Sequence, residues 1–419
     1  MTRSRALNAA TAVLLALAPA ASCLAQGISF SWNAELTTSG SMIDRGGDAE
    51  LSSRDLLDLG LGLRREAVKG TFAFELEGGL EYAPQDIASG APRSEAFMIY
   101  PALVEASWES APGLAADPMI RVGAGRVEAS EPTGLFLFDP EAAHPAQLMD
   151  GLGLEFRRGK LYASLSAGYL GLLDKRLNRI RLSGVDEADL LDADRYWAPP
   201  RVLAILTVQA ERLAFAQDAA FLCVWQKDFR EDSEERLDSW YFGATARGPA
   251  LPGLRHDEAV VVSIALPQGE SSYAGMLARA KVAYDLPWGP FGEAWLGALW
   301  AGGFGGSFPS LAGPSESLAY DLTPEDLVKA ELGADASLGV FPRGGRLDAS
   351  LALRALFVPS GSVAQGYSFE TAETYLGTEL EAGLDYAPIF GLGIKMRAGI
   401  LATPEAVHPC ARLEGRITL

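Results

Sequence analysis

After Ala25 the chain has no uninterrupted apolar run of about 18 residues, the minimum for a helical membrane span. That shortage argues against an inner-membrane helical protein. Cysteine is scarce as well, with Cys23, Cys223 and Cys410 as the whole supply, which excludes a disulfide scaffold. Cys223 lies within a predicted strand and Cys410 at the start of the last one, so both read as packing residues. A Cys223 to Cys410 bridge is the unsupported alternative. The three histidines, His144, His256 and His408, fall near loops or strand ends without a partner motif. Neither a catalytic constellation nor a metal-ligand spacing emerges, and no cofactor is expected. Positive charge is also short: 35 Lys and Arg against 54 Asp and Glu leave a formal charge of −19. Nucleic-acid and heparin binding are excluded as default readings, while an acidic pore or an acidic cell-surface face fits. Gly123-Ala124-Gly125 and Gly151-Leu152-Gly153 precede no helix, so they are strand glycines rather than phosphate cradles.

What the chain does have is alternation. In 328–338, Lys329, Glu331, Asp335 and Ser337 share one parity, and Val328, Ala330, Leu332, Ala334, Ala336 and Leu338 share the other. The pattern recurs with Leu347, Ala349, Leu351, Leu353 and Phe357 against Asp348, Ser350 and Arg354. It recurs again with Leu392, Ile394, Met396, Ala398 and Ile400 against Lys395 and Arg397. A period of two means strands with a different solvent on each side. A soluble sandwich would obey the same pattern, so the choice rests on three further features.

The first is the N-terminus. Arg3 and Arg5, the apolar stretch from Ala6 to Ala18, Pro19 and then Cys23-Leu24-Ala25 have the layout of a secretion signal cleaved after Ala25. A rival reading takes Ala20-Ala21-Ser22-Cys23 as a lipobox, with Cys23 as a lipidated N-terminus. The second feature is that 26–419 shows no domain break. The third is loop asymmetry. Strands are expected near 28–38, 55–65, 70–82, 96–108, 119–128, 150–157, 160–171, 201–210, 213–226, 237–248, 258–267, 272–285, 291–302, 327–340, 346–358, 374–386, 392–402 and 410–419. That is about eighteen, with sixteen as the alternative. Connections after even-numbered strands are short, as at 157–160, 210–212, 286–290, 341–345 and 387–391. Those after odd-numbered strands include long polar stretches at 39–54, 129–148, 172–198, 303–325 and 359–371. The connections at 109–118 and 268–271 fit this alternation least.

Taken together, these features resemble bacterial outer-membrane β-barrels of the porin type, over the whole mature chain but without a family-specific motif. The resemblance implies an all-β antiparallel up-and-down barrel, short periplasmic turns, long extracellular loops and both termini in the periplasm. The last strand, with Ala411, Leu413, Gly415, Ile417 and Leu419 alternating with Arg412, Glu414, Arg416 and Thr418, resembles the closing strand that the barrel-assembly machinery recognises. The family usually ends on an aromatic residue, and Leu419 departs from that. Trp32, Tyr82, Trp108, Tyr284 and Tyr386, near strand ends on the apolar parity, suit interfacial girdles.

The charged parity then lines a lumen. Candidate pore-lining residues are Glu75, Glu77, Glu81, Arg279, Lys281, Lys329, Glu331, Asp335, Arg354, Glu379, Glu381, Asp385, Lys395, Arg397, Arg412 and Arg416. Residues 75–84 are nearly repeated at 379–388, which suggests two acidic ladders that attract cations, or strand grammar reusing a workable phrase. Arg279, Lys281, Lys395, Arg397, Arg412 and Arg416 would stand as a basic ladder opposite Glu75, Glu77, Glu379 and Glu381. The two ladders set up a transverse field, or else pair into salt bridges that stiffen the wall. Loops 129–148, with the apolar run Gly134 to Phe138, and 172–198, with Asp186, Glu187, Asp189, Asp192 and Asp194, are the expected inward folders. The second also reads as a solvated acidic lip.

The leading function is passive diffusion of small hydrophilic solutes or ions across the outer membrane, with a cation preference. The alternatives are a surface structural or adhesive barrel plugged by its loops, and a lipid-anchored periplasmic β-protein. The chain is not expected to be an enzyme. A plug domain or a passenger has no room in the sequence, and the expected partners are outer-membrane lipid, solute and the assembly machinery, with oligomeric state open.

Overall fold

The computed structural model describes residues 28–44, 49–67, 70–84, 93–109, 118–129, 132–133, 147–172, 180–181, 197–212, 217–229, 237–267, 271–287, 291–304, 308, 326–340, 345–359, 364–365, 370–371, 374–389 and 391–418. Eighteen strands close into an all-antiparallel barrel, which removes the sixteen-strand and periplasmic alternatives. They are β1 Ile28–Asp44, β2 Ala49–Ala67, β3 Gly70–Pro84, β4 Arg93–Glu109, β5 Met119–Ala129 and β6 Gln147–Arg158. β7 Leu161–Leu172, β8 Trp197–Glu211, β9 Asp218–Asp228, β10 Leu237–Leu251, β11 Leu254–Pro267 and β12 Tyr273–Asp285 follow. The wall ends with β13 Phe291–Phe304, β14 Leu327–Val340, β15 Arg346–Phe357, β16 Tyr375–Ile389, β17 Leu392–Ala402 and β18 Val407–Thr418. Each strand pairs with its sequence neighbour, and β1 meets β18 from Glu35↔Thr418 to Ile43↔Cys410.

Alternation fixes the register. Leu332, Leu351, Leu353, Leu380, Met396, Ile400 and Leu413 all point outward and are exposed, while Glu331, Arg354, Glu379 and Arg397 on the same strands point inward. Slipping β14 by one residue would send Lys329 into lipid, at about 2–4 kcal/mol for a cation near the midplane. Trp32, Trp108 and Tyr284 are outward and about half exposed. The side chain of Tyr82 and the signal segment 1–25, with Cys23, lie outside the described residues.

The strands depart from expectation at their extracellular ends. Residues 39–54 are not a loop, because the β1–β2 ladder continues from Ser39↔Arg54 to Asp44↔Ala49. Their polar composition marks the exit of the hairpin into water rather than the end of pairing. At the periplasmic rim, the strand expected at 213–226 runs over Asp218–Asp228, with 213–216 outside the described residues. Within 172–198, Ile180–Arg181 pairs with β4 at Phe97 and Ala96. β4 needs that partner, since β5 pairs with it only through Val104–Glu109, and an uncovered edge is a liability. Cys223, outward on β9, and Cys410, inward on β18, are free thiols, so the bridge does not form.

Candidate functional site

The inward face of β14–β17 carries a continuous lattice of ion pairs. Direct cross-strand neighbours supply alternating charge: Glu331↔Arg354↔Glu379 in one row and Asp385↔Lys395↔Glu414 in another. Arg354 Nη1 donates to Glu379 at 2.8 Å and Glu381 at 2.5 Å, and its Nε lies 3.6 Å from Glu331. Lys329 Nζ reaches Glu331 at 3.1 Å. Arg397 extends the lattice to Glu381 at 3.5 Å and Asp385 at 3.1 Å. Small residues make room for it. Ala352 and Gly399 flank Glu381 across the ladder, and a Cβ on Gly383 would come within 2.2 Å of Arg397 Nη1. Glu379 is 0% exposed and Arg354 18%, so the centre of the lattice is dry, where pairing is obligatory.

Nearer the periplasm, Arg279 binds Asp257 at 3.1 Å, and Lys281 Nζ sits 4.6 Å above the Trp295 ring. Trp295 Nε1 donates to Asp335 at 3.2 Å. Arg255 bridges Asp285, at 3.0 Å, and Glu293. At the seam Arg416 reaches Glu35 at 2.5 Å, and Arg412 lies 3.8 Å from Glu414 while standing directly across from Arg397.

The structure thus brings Lys329, Glu331, Arg354, Glu379, Glu381, Arg397 and Asp385 together. Arg279, Lys281 and Asp335 join through their own partners, and Arg412 and Arg416 sit at the seam. Lys395 is inward on β17 and exposed. Glu75, Glu77 and Glu81 lie on β3, two strands beyond β1 from the seam; their side chains are outside the described residues. Glu379 and Glu381 do not face a distant basic ladder: Arg354 and Arg397 are beside them. Sequence reading missed Arg126, whose buried guanidinium binds Asp150 at 2.8 and 2.6 Å near the extracellular ends of β5 and β6. It also missed Glu35, Arg255 and Asp257, which parity counting from the neighbouring apolar residues would have found.

Towards the extracellular side the inward parity turns apolar. Leu203, Ile205, Leu222, Val224, Tyr241, Val261, Leu277, Leu299, Leu327, Leu356, Leu376 and Leu401 form one buried cluster. Phe308, from the connection after β13, belongs to it and is 0% exposed, its ring 6.0 Å from that of Tyr241 at 63°. Among the described residues, Phe308 is an inward-packed loop residue of 303–325, a connection that was not among those expected to fold in. Of 129–148 only Pro132 and Thr133 are described beyond the strand ends, and Thr133 is buried; the run Gly134 to Phe138 and the acids of 186–194 lie outside the described residues.

No family model matches the sequence, and no curated protein sequence does. Solved structures match along nearly the whole length. Pseudomonas aeruginosa OccK7 (OpdD) superposes with a TM-score of 0.55 at 12% identity, covering 94% of this chain and 98% of that one. Pseudomonas aeruginosa OpdQ gives 0.54 at 13%, covering 93% and 99%. Both are outer-membrane porins with a closed eighteen-strand barrel. This chain has the porin fold. The lattice and the buried cluster both face the inside of the barrel, one above the other along its axis.

Proposed function

We propose that the chain is an outer-membrane channel for passive diffusion of small hydrophilic solutes or ions, exported by a signal peptide cleaved after Ala25. The observation that carries this reading is the wall itself: eighteen strands enclose more space than their side chains fill, and the periplasmic half of that space is lined with charge. A cavity of about 560 Å³ there is bounded by Asp285, Glu293, Asp335, Asp348 and Asp385 against Arg255, Arg346 and Arg397. That excess of carboxylates supports a cation preference. The salt-bridged Glu379 and Glu381 contribute less to it, since Arg354 and Arg397 neutralise them locally. Outer-membrane lipid meets the exposed apolar parity, and the assembly machinery would engage β18.

The experiment is conductance and reversal potential of the refolded mature chain in a planar bilayer under a salt gradient. Steady conductance with a cation-selective potential is expected, and Asp335→Asn with Asp348→Asn should move that potential towards zero. Pseudomonas aeruginosa OpdK, which has this fold with a TM-score of 0.55 at 10% identity over 93% of this chain and 98% of that one, was solved with vanillate. Vanillate is an aromatic carboxylate, so an anion-selective potential here would point to a preference of that kind and overturn the cation reading. A second reading, a surface protein whose barrel is plugged by its loops, draws on the dry cluster around Phe308. A folded barrel that stays silent in the bilayer would select it.

A further inference from the structure

We propose that a hollow in the inner wall over β5–β8 is a binding site for a neutral polyhydroxylated ring, a solute of the size and chemistry of a monosaccharide. The inference rests on the diffusion reading above and names a class of solute for it. The hollow measures about 360 Å³, inside the range of small-ligand pockets, about 300–1,000 Å³. It lies on the inward parity, where two cross-strand rows run side by side: Arg121↔Glu155↔Ser164↔Thr207 and Gly123↔Gly153↔Ser166↔Ile205.

The floor of the hollow is bare where nothing requires glycine. Gly123 and Gly153 have no positive φ. A Cβ on Gly153 would meet nothing within 4 Å, and one on Gly123 would find only Ser107 Cβ at 3.7 Å and the Ala106 carbonyl oxygen at 3.9 Å. Side chains would fit at both positions, and glycine weakens a strand interior, so the packing of the wall does not account for the gap. A separate observation points to a ligand. Thr207 lines the hollow and is 6% exposed, yet its hydroxyl has no hydrogen-bond partner among the described residues. Ser166, one row away, has none either. A buried hydroxyl left unpaired is destabilising, and a ligand hydroxyl seated here would satisfy it.

The charged groups select the class. Arg121 donates to Glu105, and lies 3.4 Å from Ser107 and 3.8 Å from Glu155. One guanidinium against two carboxylates leaves a negative balance, which disfavours an anionic solute. Because Arg121 contacts both acids, they do not converge on a cation. What remains is a set of planar donors and acceptors side by side, which adjacent ring hydroxyls can match in pairs. Tyr162, hydrogen-bonded to Ser164, and Ile205 add apolar surface for the C–H face of such a ring.

The test uses the full mature chain refolded in detergent, with glucose, gluconate and glucosamine as probes of similar size and different charge. Binding is read by ligand-observed NMR titration, and conductance is recorded separately in the planar bilayer. Saturable glucose binding is expected, with gluconate about tenfold weaker through like-charge repulsion and glucosamine no tighter than glucose. Gly153→Phe, whose side chain starts in open space, should keep the gel mobility of a folded barrel and weaken glucose by about tenfold by filling the hollow. Thr207→Val keeps the shape and removes the hydroxyl, which should weaken glucose about three- to tenfold, the worth of one hydrogen bond. Gluconate or glucosamine bound more tightly than glucose overturns the proposal. So does either variant holding glucose as tightly as the wild type. A chain that conducts but binds no glucose refutes the site and leaves the channel standing, whereas a chain that binds glucose but never conducts refutes the diffusion reading and leaves the site.

Discussion

Arg354 is the residue on which the lumen lattice depends. Its guanidinium binds Glu379 and Glu381 and lies beside Glu331, and Glu379 has no access to solvent. Removing the cation leaves a buried carboxylate without its counter-charge, the case in which breaking a pair costs about 3–5 kcal/mol. Arg354→Met should lower barrel stability by about that amount in urea titrations in lipid vesicles. Adding Glu379→Gln and Glu381→Gln should recover most of the loss, because the anions are then gone as well. If the triple variant were no more stable than Arg354→Met, the loss would come from packing of the long side chain rather than from charge. Sequence pattern named these residues but not their pairing. Parity tells which face a side chain takes, whereas partner choice depends on register, and no single strand encodes its register with its neighbour.

At the scale of the element, alternation made the membrane-crossing part of the strands legible, since one face meets lipid along the whole wall. It did not mark where β1 and β2 stop. There Ser39, Ser41, Ser52 and Ser53 belong to a backbone ladder that carries little apolar alternation. The dry upper wall had a signal that went unused: Val202-Leu203-Ala204-Ile205-Leu206 is apolar on both parities, as expected of a strand covered on both faces. What covers it includes Phe308, set edge-on against Tyr241. Truncating a buried Phe costs about 3–5 kcal/mol where the surroundings cannot collapse. Here that cost falls on the docking of one loop residue, not on the barrel. Phe308→Ala should therefore raise single-channel conductance and its fluctuations while leaving the urea midpoint of the wall close to that of the wild type. Unchanged conductance would show that the solute path avoids this cluster.

For the whole molecule, closure is the condition that lets a sheet of this length stand in lipid, where every backbone group needs a partner inside the protein. The seam is therefore the most exacting contact, and it is made by the two ends of the chain. β18 pairs with β1 through Glu35↔Thr418, Leu36↔Ile417, Thr37↔Arg416 and Thr38↔Gly415, and on its other edge with Leu392, Gly393 and Ile394 of β17. The Thr418 amide also donates to the Gly391 carbonyl at 2.7 Å. Deleting 415–418 would strip those partners from both neighbours at once and leave an open edge facing acyl chains. The truncated chain should fail to reach the heat-modifiable, fast-migrating form on a gel after refolding into vesicles. Arg416→Ala removes from the same stretch only an ion pair to Glu35 in which the arginine is half exposed, worth about 0–1 kcal/mol. It should fold with wild-type yield. The contrast separates backbone closure from side-chain charge as the source of stability at the seam, and equal yields for the two variants would refute the assignment to closure.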